Sequence, residues 1–205
     1  MYPYNRTKIY VSPWAALLLA FFIILSSPLL LSALIFAALC HELGHYFVLK
    51  KLGGWVESIH ISLFGAEMCV GNRQKLSYGG EMLAVTAGPL INILLALLLA
   101  AIGKWGELAY LFSGAQLILG LFNLLPVQPL DGGTLVWLMA AWLADPFVAD
   151  RICNRIGLVF AVLLLICGGL LLYYGNGSPF LLIGAAGLIW GRVAQKGLVK
   201  KRKSK

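Results

Sequence analysis

Apolar residues run along this chain in long blocks: Trp14 to Leu49, Met82 to Ile102, Leu108 to Leu125, Ile156 to Tyr174 and Phe180 to Trp190. A helix that crosses a bilayer core needs roughly 20 such residues. Ser26-Ser27-Pro28 interrupts the first block, which therefore reads as two crossings with a turn between them. Further turns fall near Lys51, Lys104, Asp145-Pro146 and Asn176-Gly177-Ser178-Pro179. The pattern predicts an all-α polytopic membrane protein with about six transmembrane helices. The first and last spans, Trp14 to Ser27 and Phe180 to Gly191, are short, and either borrow flanking residues or sit where the bilayer thins. Thr134 to Ala144 is too short to cross, and is expected to form an interfacial or re-entrant helix. Val56 to Val70 partly alternates and is rich in β-branched residues, with Gly65 near its middle, so it predicts a short membrane-associated β-hairpin.

Composition sharpens this picture. The 205 residues are 60% hydrophobic and 12% charged, whereas a soluble domain is nearer half apolar and a quarter charged. No cleavable signal is expected, because Trp14 to Ser27 runs on into more apolar chain. The cysteines Cys40, Cys69, Cys153 and Cys167 are scattered and suggest no disulfide framework. The net charge of +8 is a matter of topology rather than of nucleic-acid binding. Arg192, Lys196, Lys200, Lys201, Arg202, Lys203 and Lys205 trail the last apolar block, as an anchor at an anionic lipid surface does. With six crossings, every one of the 16 lysines and arginines except Lys104 falls on one side. The positive-inside rule then places both termini in the cytosol.

Against this apolar background, "IFAALCHELGHYFVLKK" (Ile35 to Lys51) holds His41, Glu42 and His45. Ionisable side chains at membrane depth are costly and mark functional sites. On a helix, His41 and His45 share a face one turn apart and can reach one tetrahedral ion, with Glu42 at its rim. This is the His-Glu-x-x-His spacing of zinc hydrolases, in which the metal acidifies water and the glutamate takes its proton. Chance alone would produce the pattern in on the order of one chain in a few hundred, and more rarely inside a lipid-facing run.

A catalytic zinc normally takes a third protein ligand. His60 lies in the alternating stretch "ESIHISLFG". Asp131, in "NLLPVQPLDGG", is the better candidate. Pro126 and Pro129 break the helix there, Gly132-Gly133 permit backbone shapes that other residues resist, and broken backbone at membrane depth lines protein cavities. Depth agrees as well: His45 lies roughly 9 Å of helix before Lys51, and the chain returns to that boundary two crossings later at Asp131. Taken alone, Asp-Gly would read as an ordinary turn. A metal-ion transporter or a non-proteolytic metal-binding protein would also use the histidines, but has no need of Glu42.

Three elements in order resemble the site-2 proteases, the intramembrane zinc metalloproteases: His41-Glu42-Leu43-Gly44-His45, Gly88-Pro89-Leu90-Ile91-Asn92, and Asn123-Leu124-Leu125-Pro126 leading to Leu130-Asp131-Gly132-Gly133. The similarity covers about Pro28 to Gly133, and the layout suits the bacterial sporulation subgroup of stage IV sporulation protein FB. The resemblance implies that His41, His45 and Asp131 bind Zn2+ and that Glu42 is the catalytic base. It also implies that Asn123 positions substrate or stabilises the transition state, and that Gly88, Pro89 and Asn92 shape the neighbouring helix. The implied partners are the bilayer, a membrane-anchored protein substrate such as a sigma-factor precursor, and an inhibitory or activating membrane protein. Residues 1–192 are expected to form the protease domain and 193–205 a basic cytosolic tail, with neither a PDZ insertion nor a CBS domain. A substrate helix must unwind to be cut, and an edge of the Val56–Val70 hairpin is a candidate to hold it by strand addition. Gly65 is therefore a candidate substrate-binding residue. Asn92 is another, although a lone membrane asparagine is more often an interhelical hydrogen-bonding residue.

Overall fold

The computed structural model describes residues 8–13, 15–17, 20, 23, 26–62, 65–71, 76–103 and 106–174. Five helices organise them: α1 (Pro28–Lys51), α2 (Tyr78–Ile102), α3 (Glu107–Asn123), α4 (Asp131–Leu143) and α5 (Pro146–Tyr173). The sequence sets their starts. Ser27 caps α1 by accepting from Leu30 N at 3.3 Å, Ser77 caps α2 by accepting from Gly80 N at 3.1 Å, and Asp145 caps α5 by accepting from Val148 N at 2.9 Å. Pro28 and Pro146 occupy the first turns of α1 and α5, where a missing N–H costs nothing. Lys50 and Lys51 close α1 at its negative end.

α1, α2 and the Pro146–Leu170 part of α5 are long and apolar enough to cross a membrane. α3 has 17 residues, about 25 Å of helix, somewhat short of the roughly 30 Å hydrocarbon core. The expected first span is described only in part, and the last span and the 193–205 tail lie outside the described residues.

Lipid tails give apolar helices no reason to associate, so close approach of small residues must hold the bundle together. α2 packs against both α1 and α3, and α1 and α3 also meet each other. Ala33 and Ala37 of α1 and Ala115 of α3 are buried together, with Leu34, Leu111, Phe112 and Leu119 around them. A Cβ at Gly44 would lie 2.8 Å from the Ala87 carbonyl oxygen, and one at Gly120 would lie 3.0 Å from Asn92 Cβ. These glycines let α2 lie against α1 on one side and α3 on the other. α4 leans on α2 and carries α5 on its other flank.

β1 (Lys8–Val11), which precedes α1, and β2 (Trp55–Ser62) and β3 (Gly65–Gly71), which follow it, form a three-stranded sheet in the order β1-β2-β3. β2 and β3 form the expected hairpin, pairing Ile59 with Met68 and Ser62 with Gly65, and the register slips between Val56 and Ser58. The sheet is larger than the hairpin alone because β1 joins β2 in parallel, Lys8 opposite Ser58. Four residues are too few for alternation to reveal a strand, and parallel pairing is a long-range event.

Candidate metal centre

The site begins at α1, whose helical spacing stacks His41 over His45; their ring centroids are 4.7 Å apart and the rings nearly perpendicular. α2 then fixes the second ring, since His45 Nδ1 donates to the Ala84 carbonyl at 2.8 Å. A proton on Nδ1 leaves Nε2 with a lone pair aimed into the site, the tautomer a metal ligand needs. Gly88, one turn further along α2, makes room for that ring: a Cβ there would lie 2.6 Å from His45 Cε1 and 2.8 Å from Cδ2.

The third group arrives from far along the chain. Asp131 is the first residue of α4, so the carboxylate sits at a helix N-terminus rather than in a loop. Asp131 Oδ2 lies 2.9 Å from His41 Nε2 and 3.2 Å from His45 Nε2, and the two Nε2 atoms are 3.1 Å apart. Gly132 and Gly133 earn their place differently from the sequence-based expectation. Both are helical and buried, and neither has a positive φ. What they permit is contact: a Cβ at Gly132 would run into the Leu124 and Leu125 carbonyls, and one at Gly133 into the backbone of Val127 and Gln128. The start of α4 is thereby folded tightly onto the segment that follows α3.

The donor set fits zinc. Ligand atoms about 2.0–2.1 Å from a tetrahedral ion lie roughly 3.3 Å from one another, close to the 2.9–3.2 Å spacings here. Two imidazoles and a carboxylate match zinc's preference for nitrogen and oxygen ligands. His41, His45 and Asp131 are the one group with such an arrangement among the described residues. Glu42 follows His41 on α1, and its Oε2 is buried with no hydrogen-bond partner among the described residues.

Comparison with known proteins agrees with this geometry. The model of peptidase family M50 matches residues 100–164. A zinc metalloprotease of Methanocaldococcus jannaschii is 30% identical over 135 residues, covering 62% of this chain and 39% of that protein. Stage IV sporulation protein FB of Bacillus subtilis is 29% identical over 161 residues, covering 77% of this chain and 56% of that protein. The fold matches the solved site-2 protease from M. jannaschii with a TM-score of 0.71 and 24% identity, over 93% of this chain and 91% of that one. The chain is similar in sequence to zinc metalloproteases and in fold to a site-2 protease. It spans between about two fifths and just over half of the length of these two relatives.

The other predicted residues are not among the three that form this group. Asn123 ends α3, and its Nδ2 donates back to the Leu119 carbonyl at 3.1 Å, within its own helix. Asn92 is fully enclosed, and its Nδ2 donates to Ala37 O of α1 at 3.2 Å. That burial corrects the substrate-binding candidacy: Asn92 joins helices and presents no surface to a substrate. Gly65 opens β3 opposite Ser62. His60 is exposed in β2, stacked on Tyr10 with ring centroids 4.7 Å apart, and is not part of the metal group. Sequence reasoning missed Ala84, whose contribution is a backbone carbonyl that no side chain announces. It also passed over Gln116, although an amide in an apolar run is the same signal that singled out Asn92.

Proposed function

We propose that this protein is a zinc-dependent intramembrane endopeptidase that cuts membrane-tethered precursor proteins near the cytosolic face. The observation that carries the proposal is the convergence of His41, His45 and Asp131, from helices far apart in the chain, at 2.9–3.2 Å. Zinc held by these three residues would supply Lewis acidity toward water and a substrate carbonyl. The Nδ1–H bond to Ala84 keeps His45 oriented. Glu42 accepts a proton at its carboxylate from the attacking water and delivers it to the leaving nitrogen as the peptide C–N bond breaks. Asn123, on the segment leading to Asp131, is proposed to meet the substrate near the scissile bond.

A substrate helix hides its carbonyls in internal hydrogen bonds, so it must be held extended to be cut. Among the described residues, β3 is an outer strand, and its edge, starting at Gly65, suits strand addition. The position of His45 near the Lys50-Lys51 end of α1 supports cleavage close to the cytosolic boundary. Six crossings with both termini cytosolic remain the best layout. β1 lies beside β2, which starts just after α1 ends, whereas α1 begins about 36 Å away, so the chain between them has a membrane's thickness to traverse. Likeness to a sporulation protein makes a sigma-factor precursor the first substrate to try.

The test is Glu42→Gln in cells that make a candidate tethered substrate. Cleavage is expected to stop while the purified variant keeps its zinc. Continued cleavage would overturn the mechanism.

A further inference from the structure

Behind the metal centre, deeper in the helix bundle, lies a second polar feature that the proposed chemistry does not use. Gln116 of α3 and Asn92 of α2 are both 0% exposed. Neither Gln116 Oε1 nor Gln116 Nε2 has a hydrogen-bond partner among the described residues, and Asn92 Oδ1 has none. Their neighbours bring the two side chains to one place. On α3, Ser113, Gln116 and Gly120 form one buried stripe. Ser113 Oγ donates to the Ala96 carbonyl at 2.7 Å, and Gly120 abuts Asn92 and Pro89. Helical spacing puts Gln116 between those two contacts, facing the Asn92–Ala96 turn of α2. Asn92 in turn reaches Ala37 of α1, one turn before His41.

Buried amide groups without partners carry a desolvation penalty that a membrane interior does nothing to relieve, and native proteins rarely leave them so. Where several face one spot, an internal water with about three hydrogen bonds is the usual solution. The chemistry here suits water: both side chains are neutral, and together they bring a donor and two acceptors, whereas a cation would find no charge and a repelling N–H.

We infer that Asn92 and Gln116 form a binding site for internal water among α1, α2 and α3, separate from the water that would be consumed at the metal centre. A water there accepts from Gln116 Nε2 and donates to Asn92 Oδ1. Its site joins α3, through Asn92 and Ala37, to the turn of α1 just before the first histidine. The inference stands on burial and placement alone, and does not require the protein to be a protease.

X-ray hydroxyl-radical footprinting of the full chain in detergent micelles, in heavy-oxygen water, tests it. Radicals born from bound water oxidise side chains beside it even where bulk water has no access. Label is expected on the segments holding Ile93 and Leu119, and is expected to be lost in Gln116→Leu. Absence of label there in the wild type, or equal label in Gln116→Leu, would overturn the site. Thermal midpoints give a second reading. Asn92→Leu and Gln116→Leu should each lower the midpoint, and the double variant should lower it by less than the two together, because neither amide is then left alone. A midpoint raised by Gln116→Leu would show that the amide has no partner, and the inference would fail.

Discussion

Placing a methyl group at Gly88 should disable the metal centre without replacing any of its three residues. In Gly88→Ala the new Cβ would stand 2.6 and 2.8 Å from two carbons of the His45 ring, where ordinary contact begins at 3.4 Å. Nε2, the atom that would bind the metal, is nearer still, so the ring must retreat by at least about 0.8 Å. Separating the helices to spare it would give up the close packing of Gly44 of α1 against Ala87 of α2. Metal–ligand bonds tolerate about ±0.2 Å, so the displacement is several times too large, and it also strains the bond from Nδ1 to Ala84. Misplacement on the 1 Å scale costs about 10²-fold in rate, or about 2.7 kcal/mol of barrier. Zinc content of the purified variant by mass spectrometry, and turnover of a tethered reporter, are the two measurements. Gly114→Ala is the control: it sits within α3 with nothing inside 4 Å of its Cβ, and should be neutral or stabilising by up to about 1 kcal/mol. Full zinc occupancy and wild-type turnover in Gly88→Ala would refute this account of the site.

Asp131→Ala removes the one anionic ligand and should weaken zinc binding by more than the roughly 10–100-fold that outer-sphere changes cost; competition with a chelator of known affinity measures it. Gly132→Ala drives a methyl into the Leu124 and Leu125 carbonyls, so it should lower stability by about 1–3 kcal/mol and release zinc by moving Asp131, both readable from one thermal and metal-content experiment. Asp145→Ala deletes the cap on Val148 N, far from the metal. It should cost about 1 kcal/mol, a fall of roughly 2–4 °C in midpoint for a chain of this size, with zinc retained.

How much of this was legible beforehand follows from the range of the interactions. The His-Glu-x-x-His spacing, the turns at Ser27-Pro28 and Asp145-Pro146, and the hairpin of β2 and β3 are local patterns, carried by residues a few positions apart. Asp131 was reachable through topology, because two expected crossings would return the chain to the depth it left. β1 was not, since four residues gain strand character only from the parallel partner they meet. The glycines show the limit most clearly. Gly88, Gly132 and Gly133 were visible as letters, but their reason lies in the His45 ring and in the carbonyls after α3, atoms that only the assembled bundle brings near. In a membrane, where apolar surface is no guide to which helix faces which, small residues and buried amides carry the packing information. A sequence shows that they are present and leaves open what they touch. Asn92, a candidate for substrate contact when read alone, becomes a helix-joining residue once Ala37 is seen across from it. Gln116, unremarked in its apolar run, lies over the same turn.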